Sequence, residues 1–518
     1  MKRFFNTAGP NQPADHYTLN PLTRLTTVRE LIENKRYFIL HAPRQTGKTT
    51  TMLRFVEAIN QEGKYIALYI NVEPAQAVRT DVAAANRVFV GSLKTWARET
   101  LPTEYRPSAT CFEDLDPEGA FRDCLGKWCS ELSKPLVLFI DEADSLIGDS
   151  LLSLLRQLRS GYPNRPAKFP HSLSLIGLRD VRDFRIYSEL EKRYEIGGSA
   201  FNIKDKSLTM GNFTPENVRD LYAQHTAETG QQFSEEALNL IFEQTQGQPW
   251  LVNALGRELC FEEHKVLPEG RTIVPEDVQK AIETLIQRRD VHLDNLQDKL
   301  TERRVAVVVD AIMGGGGFQK LAEIPKDDLQ FCLDLGLVTK SPNGLVIANP
   351  IYREVIPREL SSVHQDVLPV NPAWFVRPEN GKLDIEKVLS AFFEFYRENS
   401  EMLPQQAIYP EATYHLAFMA WLQRIVNGGG YIRREYAAGL GFIDLVIHFA
   451  GEKFVFELKT EANFKRQKAL DQICQYAERM SVGSGYLVVF RKGMPDPEAV
   501  GQRETVQHGG KTVYIIWV

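Results

Sequence analysis

The stretch HAPRQTGKTT, residues 41–50, constrains the fold of this chain more than any other part of the sequence. It matches the phosphate-binding pattern of a glycine, four residues of any kind, then glycine, lysine and serine or threonine, except that Ala42 stands at the first glycine. The apolar run RYFILHA leads into it and predicts a buried strand, and GKTTTMLRFVEAINQEG follows with apolar residues at helical spacing. We therefore expect strand, loop and helix, and the alanine is tolerable there if its φ is negative.

The loop also predicts how a nucleotide would be held. Its backbone N–H groups would surround the phosphates at the helix N-terminus, Lys48 would reach the β- and γ-phosphates, and the Thr49 hydroxyl would hold Mg²⁺. The loop residues expected at the nucleotide are Pro43, Arg44, Gln45, Thr46, Gly47, Lys48, Thr49 and Thr50.

An acidic strand is predicted downstream, in PLVLFIDEAD at residues 135–144. Its apolar run delivers Asp141 and Glu142 to the carboxyl end of a strand, where open α/β sheets bind ligands. Asp141 would organise Mg²⁺, and Glu142 would polarise the attacking water. The alternative is a buried strand followed by a solvated acidic helix start.

Another apolar strand is predicted in HSLSLIGLRD, residues 171–180, and it ends at Arg179. A cation at this place could sense the γ-phosphate. The alternative is a surface ion pair of Arg179 with Asp180 or Asp183, because the sequence does not fix the direction of the guanidinium.

These segments resemble the AAA-type and STAND-like P-loop ATPases, over roughly residues 15–360. The stretch TQGQPWLVNAL, residues 245–255, resembles the GxP motif of their helical lid, which implies that Pro249 touches the nucleotide base. The resemblance implies ATP and Mg²⁺ as cofactors and a homo-oligomer formed through the ATPase core.

The middle of the chain is predicted to be helical. TPENVRDLYAQHT, SEEALNLIFEQTQ and VPEDVQKAIETLIQRR each begin with a helix start signal and continue at helical spacing. His225 and His264 stand among polar neighbours, so we expect them on a solvated helix surface. Farther on, LGLVTK, a Pro-Asn-Gly turn and GLVIAN predict a hairpin, and helices followed by such a hairpin suggest a winged helix with a structural role.

The C-terminal part carries a second chemical pattern. An apolar helix is followed by the strands YIRREY, FIDLVIHFA and KFVFELK, a helix, and the strands GYLVVF and TVYIIWV. Asp444 lies in the second strand, while Glu457 and Lys459 share one face of the third. Carboxylates hold Mg²⁺ against a phosphodiester, and a lysine can stabilise developing charge. The alternative is an edge strand with alternating charges.

This pattern resembles the PD-(D/E)XK nuclease superfamily over roughly residues 390–518. The resemblance implies that Asp444 and Glu457 bind the metal, Mg²⁺ or Mn²⁺, and that Lys459 is catalytic. QICQY has the QxxxY spacing of the RecB-like branch, which implies a place near the metal for Gln472, and Glu411 matches an auxiliary acidic ligand.

A basic stretch beside this pattern suggests a nucleic-acid contact. Lys465, Arg466 and Lys468 could hold a nucleic-acid backbone, and a solvated helix face explains them equally well.

The composition is that of an ordinary globular protein. The 518 residues are too many for one core, and the net charge of −6 gives no global reason to bind nucleic acid. The six cysteines include no CxxC pair, so we expect reduced thiols. With neither a long apolar run nor a signal-like leader, we expect a cytoplasmic protein without a membrane partner.

We therefore predict a multidomain α/β chain that combines a P-loop NTPase core, a helical lid and a winged helix with a mixed α/β domain like a restriction endonuclease. The predicted segments are an ATPase core at 1–205, the lid at 206–295, the winged helix at 296–360, a linker at 361–389 and the nuclease domain at 390–518.

Two functions are open from the sequence. In the first, an ATP-hydrolysing switch controls a metal-dependent endonuclease that cleaves DNA, and fusions of this kind resemble bacterial defence or mobile-element proteins. In the second, a signalling ATPase carries a C-terminal domain that binds nucleic acid or protein without cutting. RNA is a further substrate to consider, because the metal chemistry does not sense the sugar.

Overall fold

The computed structural model describes residues 3–20, 26–179, 185–188, 193–261, 271–288, 298–313, 321–342, 344–365, 375–399, 413–426, 430–435, 444–491 and 500–518. The chain forms two compact units, one of Met1–Leu285 with Leu333–Gly336 and one of Ile286–Cys332 with Leu337–Val518. The finer division at 205, 295, 360 and 389 stays a prediction.

The first unit contains a parallel sheet. Its strands are β1 (Tyr37–His41), β2 (Ile66–Asn71), β3 (Leu136–Asp141), β4 (Ser172–Gly177) and, after a hairpin of β5 (Arg185–Ser188) and β6 (Arg193–Ile196), β7 (Lys204–Thr209). The order across the sheet is β2-β3-β4-β1-β7, and all its pairs are parallel. Strand β4 therefore lies between the strand that enters the phosphate loop and the acidic strand.

Helices complete this α/β core. They are α1 (Thr26–Glu33), α2 (Lys48–Glu62), α3 (Val82–Thr100), α4 (Ala120–Glu131), α5 (Asp149–Gly161) and α6 (Gly197–Ala200). Along β1, Tyr37 and Ile39 belong to one buried apolar cluster, and Phe38 and Leu40 belong to another. Because strand side chains alternate, the sheet is buried on both faces, as parallel sheets are. The predicted P-loop ATPase fold is confirmed.

Four helices follow in the first part of the chain: α7 (Pro215–Thr229), α8 (Glu235–Thr245), α9 (Pro249–Phe261) and α10 (Pro275–Arg288). The predicted start signals act as caps, since the Thr214 hydroxyl accepts from the Asn217 amide and the Ser234 hydroxyl from the Ala237 amide. The helical region is therefore present, and its role as a lid stays a prediction.

The prediction of a solvated His225 is wrong. Its side chain is buried, with Nδ1 3.1 Å from the Tyr17 hydroxyl and Nε2 3.1 Å from Gln231 Oε1. The amino-terminal segment, residues 3–20, packs on this face of α7. The polar neighbours of His225 in the sequence suggested an exposed side chain, but Tyr17, some two hundred positions earlier, covers it. His264 lies outside the described residues.

Gly247 is expected to be essential for the stability of the first unit. It has a φ of +68°, and a Cβ built there would lie 2.0 Å from the carbonyl oxygen of Phe213. Gly247→Ala should therefore lower the free energy of unfolding by more than about 4 kcal/mol, measured by urea denaturation. Gly230→Ala is the matched control, since Gly230 has a φ of +77° with open space around it. It should cost about 1–2 kcal/mol, and equal losses would contradict the role of the clash.

Beyond α10 the described chain continues with helices and two groups of strands. The helices are α11 (Arg303–Met313), α12 (Lys326–Asp334), α13 (Pro350–Gln365), α14 (Ile385–Asn399), α15 (Thr413–Val426) and α16 (Arg466–Arg479). The strands are β8 (Val338–Ser341), β9 (Gly344–Ile347), β10 (Gly430–Glu435), β11 (Asp444–Phe449), β12 (Glu452–Thr460), β13 (Ser484–Phe490), β14 (Gln502–His508) and β15 (Lys511–Trp517).

The predicted hairpin forms from β8 and β9, with Val338 opposite Ile347. It follows α11 and α12, in the order expected of a winged helix, and that assignment stays a prediction. Helices extend into the predicted linker at 361–389 from both sides, since α13 ends at Gln365 and α14 begins at Ile385. The linker itself stays a prediction.

The C-terminal sheet has the order β10-β11-β12-β13-β15-β14. The pairs β10–β11, β11–β12 and β14–β15 are antiparallel, whereas β12–β13 and β13–β15 are parallel. The predicted helix and strand order is present, with one strand more than expected. Strand β14 was missed because its sequence, QRETVQH, is exposed and lacks alternating apolar residues. A turn at Gly509 and Gly510, both with positive φ, joins it to β15.

All six cysteines are free thiols, as expected. Among the described helices, none combines the length and apolar character needed to cross a bilayer.

Candidate nucleotide and nuclease sites

The phosphate loop has the backbone that its sequence requires. Positive φ angles occur at Gln45 (58°) and Gly47 (86°), and Ala42 does not have one. Ala42 is buried, and its amide donates to the carbonyl of Gly177 on β4. The missing glycine is therefore no obstacle to the loop, because an alanine adopts this conformation without strain.

Lys48 lies inside the loop. Its Nζ donates to the carbonyl oxygens of Ala42 at 2.7 Å and Pro43 at 3.0 Å. Burial lowers the pKa of Lys48, and the nearby carboxylates of Glu142 and Asp141 act in the opposite direction. A buried ammonium held by carbonyl oxygens is placed to bind phosphate oxygens.

Asp141 is the centre of a small hydrogen-bond network. One carboxylate oxygen, Oδ2, accepts from the Thr49 hydroxyl at 3.0 Å and from the Tyr69 hydroxyl at 2.7 Å. The other, Oδ1, accepts from the Glu142 amide at 2.9 Å. The pair of Thr49 and Asp141 thus brings together the two oxygen groups predicted to organise Mg²⁺, and Tyr69 fixes the carboxylate.

Glu142 lies beside this network in a left-handed conformation, with φ of 58°. Burial raises the pKa of Glu142 to about 7, and the negative charges of Asp141 and Asp144 add to the effect. A carboxyl group with a pKa near neutrality suits proton transfer with a water molecule.

A cavity of about 570 Å³ lies beside the loop, a size typical of small-ligand sites. Its wall includes the following residues predicted at the nucleotide: Arg44, Gln45, Thr46, Gly47, Lys48, Thr49, Thr50, Glu142 and Pro249. Pro43 and Asp141 do not line the cavity, but each contacts a residue that does: the Pro43 carbonyl accepts from Lys48, and Asp141 accepts from Thr49.

Sequence reasoning missed much of the cavity wall. The missed residues include Asn6, Thr7, Ala8, Gly9, Pro10, Asn11, Thr18, Leu19, Phe213, Trp250 and Asn253. The amide of Asn11 donates to the Thr50 hydroxyl at 3.1 Å, and Trp250 Nε1 donates to the carbonyl of Thr7 at 2.9 Å. The amino-terminal segment thus joins α2 to α9, and no motif marks it in the sequence.

Arg179 is placed differently from the other predicted nucleotide residues. Its guanidinium Nε donates to Asp334 Oδ2 at 3.2 Å, both side chains are buried, and Arg179 does not contribute to the cavity wall. This ion pair differs from both sequence interpretations, because Asp334 is distant in sequence and the pair is not on the surface. Asp180 and Asp183 lie outside the described residues. A direct contact of Arg179 with the γ-phosphate stays a prediction.

Removal of the Tyr69 hydroxyl should slow ATP hydrolysis. Tyr69→Phe leaves Asp141 Oδ2 without its shortest hydrogen bond, so the carboxylate is less well oriented. We expect a loss of about tenfold in kcat with little change in ATP affinity. The control is Tyr37→Phe, which removes a buried tyrosine hydroxyl bonded to the Pro170 carbonyl on the same sheet. Similar rates in the two variants would show that the Tyr69 contact is only structural.

The second site lies on β12. Glu457 and Lys459 are almost completely buried and form an ion pair. They lie at alternate positions along the strand from Val455, which packs in the apolar cluster between α16 and the sheet. Strand alternation therefore places both charges on the α16 face of the sheet, as predicted. Neither carboxylate oxygen of Glu457 receives a hydrogen bond of normal geometry from the described residues. A buried carboxylate in this state suits a cation.

Asp444 is the first residue of β11, and its backbone pairs with Glu435 on β10. The printed register pairs the following residue, Leu445, with Phe456, which precedes Glu457. Glu411 lies outside the described residues. Among the side chains that the structure describes, no three His, Cys, Asp or Glu groups form a metal cluster.

His415 on α15 is a buried histidine that sequence reasoning did not single out. It is fully buried, and neither ring nitrogen has a hydrogen-bond partner among the described residues. Burial lowers the pKa of His415 to about 4, and the positive charge of Lys459 adds to the effect, so the imidazole is neutral. Its ring packs on Phe490, with the ring centroids 5.6 Å apart. Because Phe490 pairs with Thr460, the residue after Lys459, strand alternation places His415 on the sheet face opposite Glu457 and Lys459.

A family model of the PD-(D/E)XK nuclease superfamily matches residues 409–490. Residues 409–490 form a PD-(D/E)XK nuclease superfamily domain. The identification made from the sequence is confirmed, and the matched range includes β10 to β13 with Asp444, Glu457 and Lys459. No curated protein matches the chain.

Three solved structures illustrate what the chain is similar to in fold. A Walker-type ATPase of Pyrococcus abyssi is 16% identical, with a TM-score of 0.46, and the match covers 68% of this chain and 99% of that one. The RuvB Holliday junction branch migration motor of Thermotoga maritima is 13% identical, with a TM-score of 0.35 and coverage of 65% and 94%. Cdc6p from Pyrobaculum aerophilum is 14% identical, with a TM-score of 0.34 and coverage of 67% and 94%. The fold assignment rests on the sheet, loop and acidic strand described above.

In the nuclease-superfamily domain, α16 carries the predicted QxxxY pair. Gln472 is partly exposed, and Tyr476 is buried in the cluster between α16 and the sheet. Of the basic residues nearby, Arg466 donates to Glu504 at 2.8 Å, while Lys465 and Lys468 are exposed. Arg466 is therefore partly neutralised within the domain, and the two lysines are the better candidates for a backbone contact.

Proposed function

We propose that this chain is an ATP-binding and ATP-hydrolysing switch that controls a Mg²⁺-dependent nuclease acting on DNA. The observation that carries the proposal is the buried pair of Glu457 and Lys459 in a nuclease-superfamily domain, within a chain that also has a phosphate loop beside a nucleotide-sized cavity.

The ATPase half follows from the loop and the acidic network. Backbone amides and Lys48 bind the phosphates, Thr49 and Asp141 hold Mg²⁺, and Glu142 orients and deprotonates the attacking water. Tyr69 acts through Asp141 as a positioning residue. The cavity wall formed by the amino-terminal segment and α9 accepts the base and sugar.

The nuclease half uses the residues of β11, β12 and α16. Asp444 and Glu457 hold the metal, with Glu411 as an auxiliary ligand and Gln472 beside it. When bound there, Mg²⁺ or Mn²⁺ supplies positive charge to the scissile phosphate and lowers the pKa of the attacking water. Lys459 stabilises the negative charge that develops on the phosphate oxygens.

Control of the nuclease by ATP is proposed because both centres belong to one chain. The polymer is proposed to be DNA, and the setting that the sequence resemblance implies is bacterial defence or mobile-element biology. The ATPase core is proposed to assemble into a homo-oligomer.

The test is incubation of the purified full chain with supercoiled plasmid, with and without ATP and Mg²⁺. We expect nicked or linear DNA only with Mg²⁺, at a rate that ATP changes. A single-stranded RNA and a DNA of matching sequence are tested in parallel, because only contacts to the 2′-OH distinguish them. A protein that binds DNA with no cleavage under any of these conditions would instead be a signalling ATPase with a binding domain.

A further inference from the structure

A row of paired residues crosses the carboxyl end of the C-terminal sheet, beginning at Lys459. The register pairs Lys459 on β12 with Val489 on β13, and Val489 with Trp517 on β15. Paired residues of neighbouring strands share a face of the sheet, so Trp517 lies on the α16 face with Lys459. Trp517 accordingly packs on the apolar cluster between α16 and the sheet. Neighbouring strands are about 4.8 Å apart, so the backbones of Lys459 and Trp517 are separated by roughly 10 Å.

The Trp517 ring is only partly buried at this end of the sheet. Phe464, in the segment between β12 and α16, meets it nearly at right angles, with the ring centroids 5.2 Å apart and the planes at 83°. The guanidinium of Arg491, just after β13, lies 5.2 Å from the centroid of the Trp517 ring. Phe464 and Arg491 are also partly exposed. This group of two aromatic rings and a cation is therefore accessible from solvent.

Further cations accompany the Trp517 ring. Lys465 and Lys468, at the start of α16, are exposed. The carboxylate of Glu504 on β14 accepts from Arg466 at 2.8 Å, so its negative charge is compensated. Positive charge beside an accessible aromatic ring is the combination by which proteins bind single-stranded nucleic acid, because the cations follow the backbone while the ring stacks on a base.

Arg491 does not exclude a base from the ring. A guanidinium over an aromatic ring at a partly exposed site is weakly held. Its contact with a phosphate is stronger, because that contact is charge-assisted and often bidentate. When a polynucleotide binds, Arg491 can therefore exchange the ring for a phosphate, which leaves that face of Trp517 to a base.

We propose that Trp517 stacks on an unpaired base close to the phosphodiester that is cut, so that the nuclease domain acts on single-stranded or locally opened DNA. This inference rests on the proposed nuclease function and names its substrate class. Inside a duplex both faces of a base are covered by its neighbours, so only an unstacked base offers a face to the ring. At a rise of about 3.4 Å per nucleotide, the distance from Lys459 places this base within about three nucleotides of the cut.

The experiment measures the affinity of the full chain for fluorescent DNA probes of equal length, with Ca²⁺ in place of Mg²⁺ to limit cleavage. The probes are oligothymidylate, a base-free strand with the same sugar-phosphate backbone, and the duplex of oligothymidylate with oligoadenylate. We expect wild-type protein to bind oligothymidylate at least about fivefold more tightly than the base-free strand, and more tightly than the duplex.

Trp517→Met removes the planar ring and keeps an apolar side chain that fills irregular space. It should bring the ratio of affinities for oligothymidylate and the base-free strand close to one, with the affinity for the base-free strand unchanged. Trp517→Phe keeps a smaller ring and should give an intermediate ratio, which tests the proposal even where Trp517→Met does not fold. Met480→Ala is the matched control, because Met480 is partly buried against the same apolar cluster at the other end of α16. It should keep the wild-type ratio.

A purely structural role for Trp517 would weaken the binding of both strands alike and leave their ratio at the wild-type value, which would overturn the proposal. A wild-type ratio near one, or a duplex bound as tightly as oligothymidylate, would overturn it as well. Plasmid cleavage in either of these cases would leave the nuclease function in place. A ratio that depends on Trp517 in a chain that cuts no DNA would support base stacking and contradict the nuclease function.

Discussion

The double variant Glu457→Gln with Lys459→Met is expected to lose DNA cleavage by about a thousandfold or more while the chain still folds. Both side chains are almost completely buried and paired with each other. Removal of one partner would leave a buried charge without compensation, which costs about 3–5 kcal/mol, whereas removal of both is often nearly neutral. The double variant therefore separates lost chemistry from lost folding.

The measurement is plasmid nicking with Mg²⁺, alongside thermal denaturation and the ATP hydrolysis rate of the same preparations. Lys453→Ala is the matched control. Lys453 lies on the same face of β12 as Glu457 and Lys459, and its side chain is exposed. It should cleave at the wild-type rate, and all variants should hydrolyse ATP normally. Cleavage at the wild-type rate by a folded double variant would mean that the activity does not come from this site.

A single variant extends the test to the other proposed ligand on the sheet. Asp444→Asn should lose cleavage to an extent similar to the double variant, because a carboxylate ligand of the metal is removed. The measurement is the same plasmid assay. Cleavage at the wild-type rate by Asp444→Asn would exclude Asp444 from the metal site.

Lys48→Ala is expected to reduce ATP hydrolysis by about a hundredfold or more and to remove the response of the nuclease to ATP. The ammonium group is held at the loop by two carbonyl oxygens, where its positive charge stabilises the phosphates in the transition state. Lys64→Ala is the control and should behave like wild type, because Lys64 is exposed and lies just beyond the carboxyl end of α2. The measurements are phosphate release and plasmid cleavage at several ATP concentrations.

Glu142→Gln separates binding from hydrolysis in the same assay. The amide still fits at the cavity wall and cannot accept a proton from water, so we expect ATP to bind and not to turn over. If this variant changes cleavage when ATP is added, binding is enough to switch the nuclease; if it does not, hydrolysis is required. Cleavage that ATP does not affect in wild type, Lys48→Ala and Glu142→Gln alike would mean that the two domains are only tethered.

The parts of this protein that the sequence determined are those fixed by local rules. The phosphate loop, the acidic strand, the capped helices and the β12 pair all depend on residues within about twenty positions of one another, where helical and strand periodicities apply. The alternation along β12 was enough to place Glu457 and Lys459 on one face. For Ala42 the sequence set only a condition, a negative φ, and the structure meets it.

What only the tertiary structure decided are contacts between residues far apart in the chain. Tyr69 reaches Asp141 across neighbouring strands, Asn253 joins a cavity wall that begins at Asn6, and Arg179 pairs with Asp334. His225 is buried because a segment some two hundred residues earlier covers it. The physical reason is that short stretches of sequence encode conformation and periodicity, whereas the burial and the partner of a polar group depend on which distant elements pack around it.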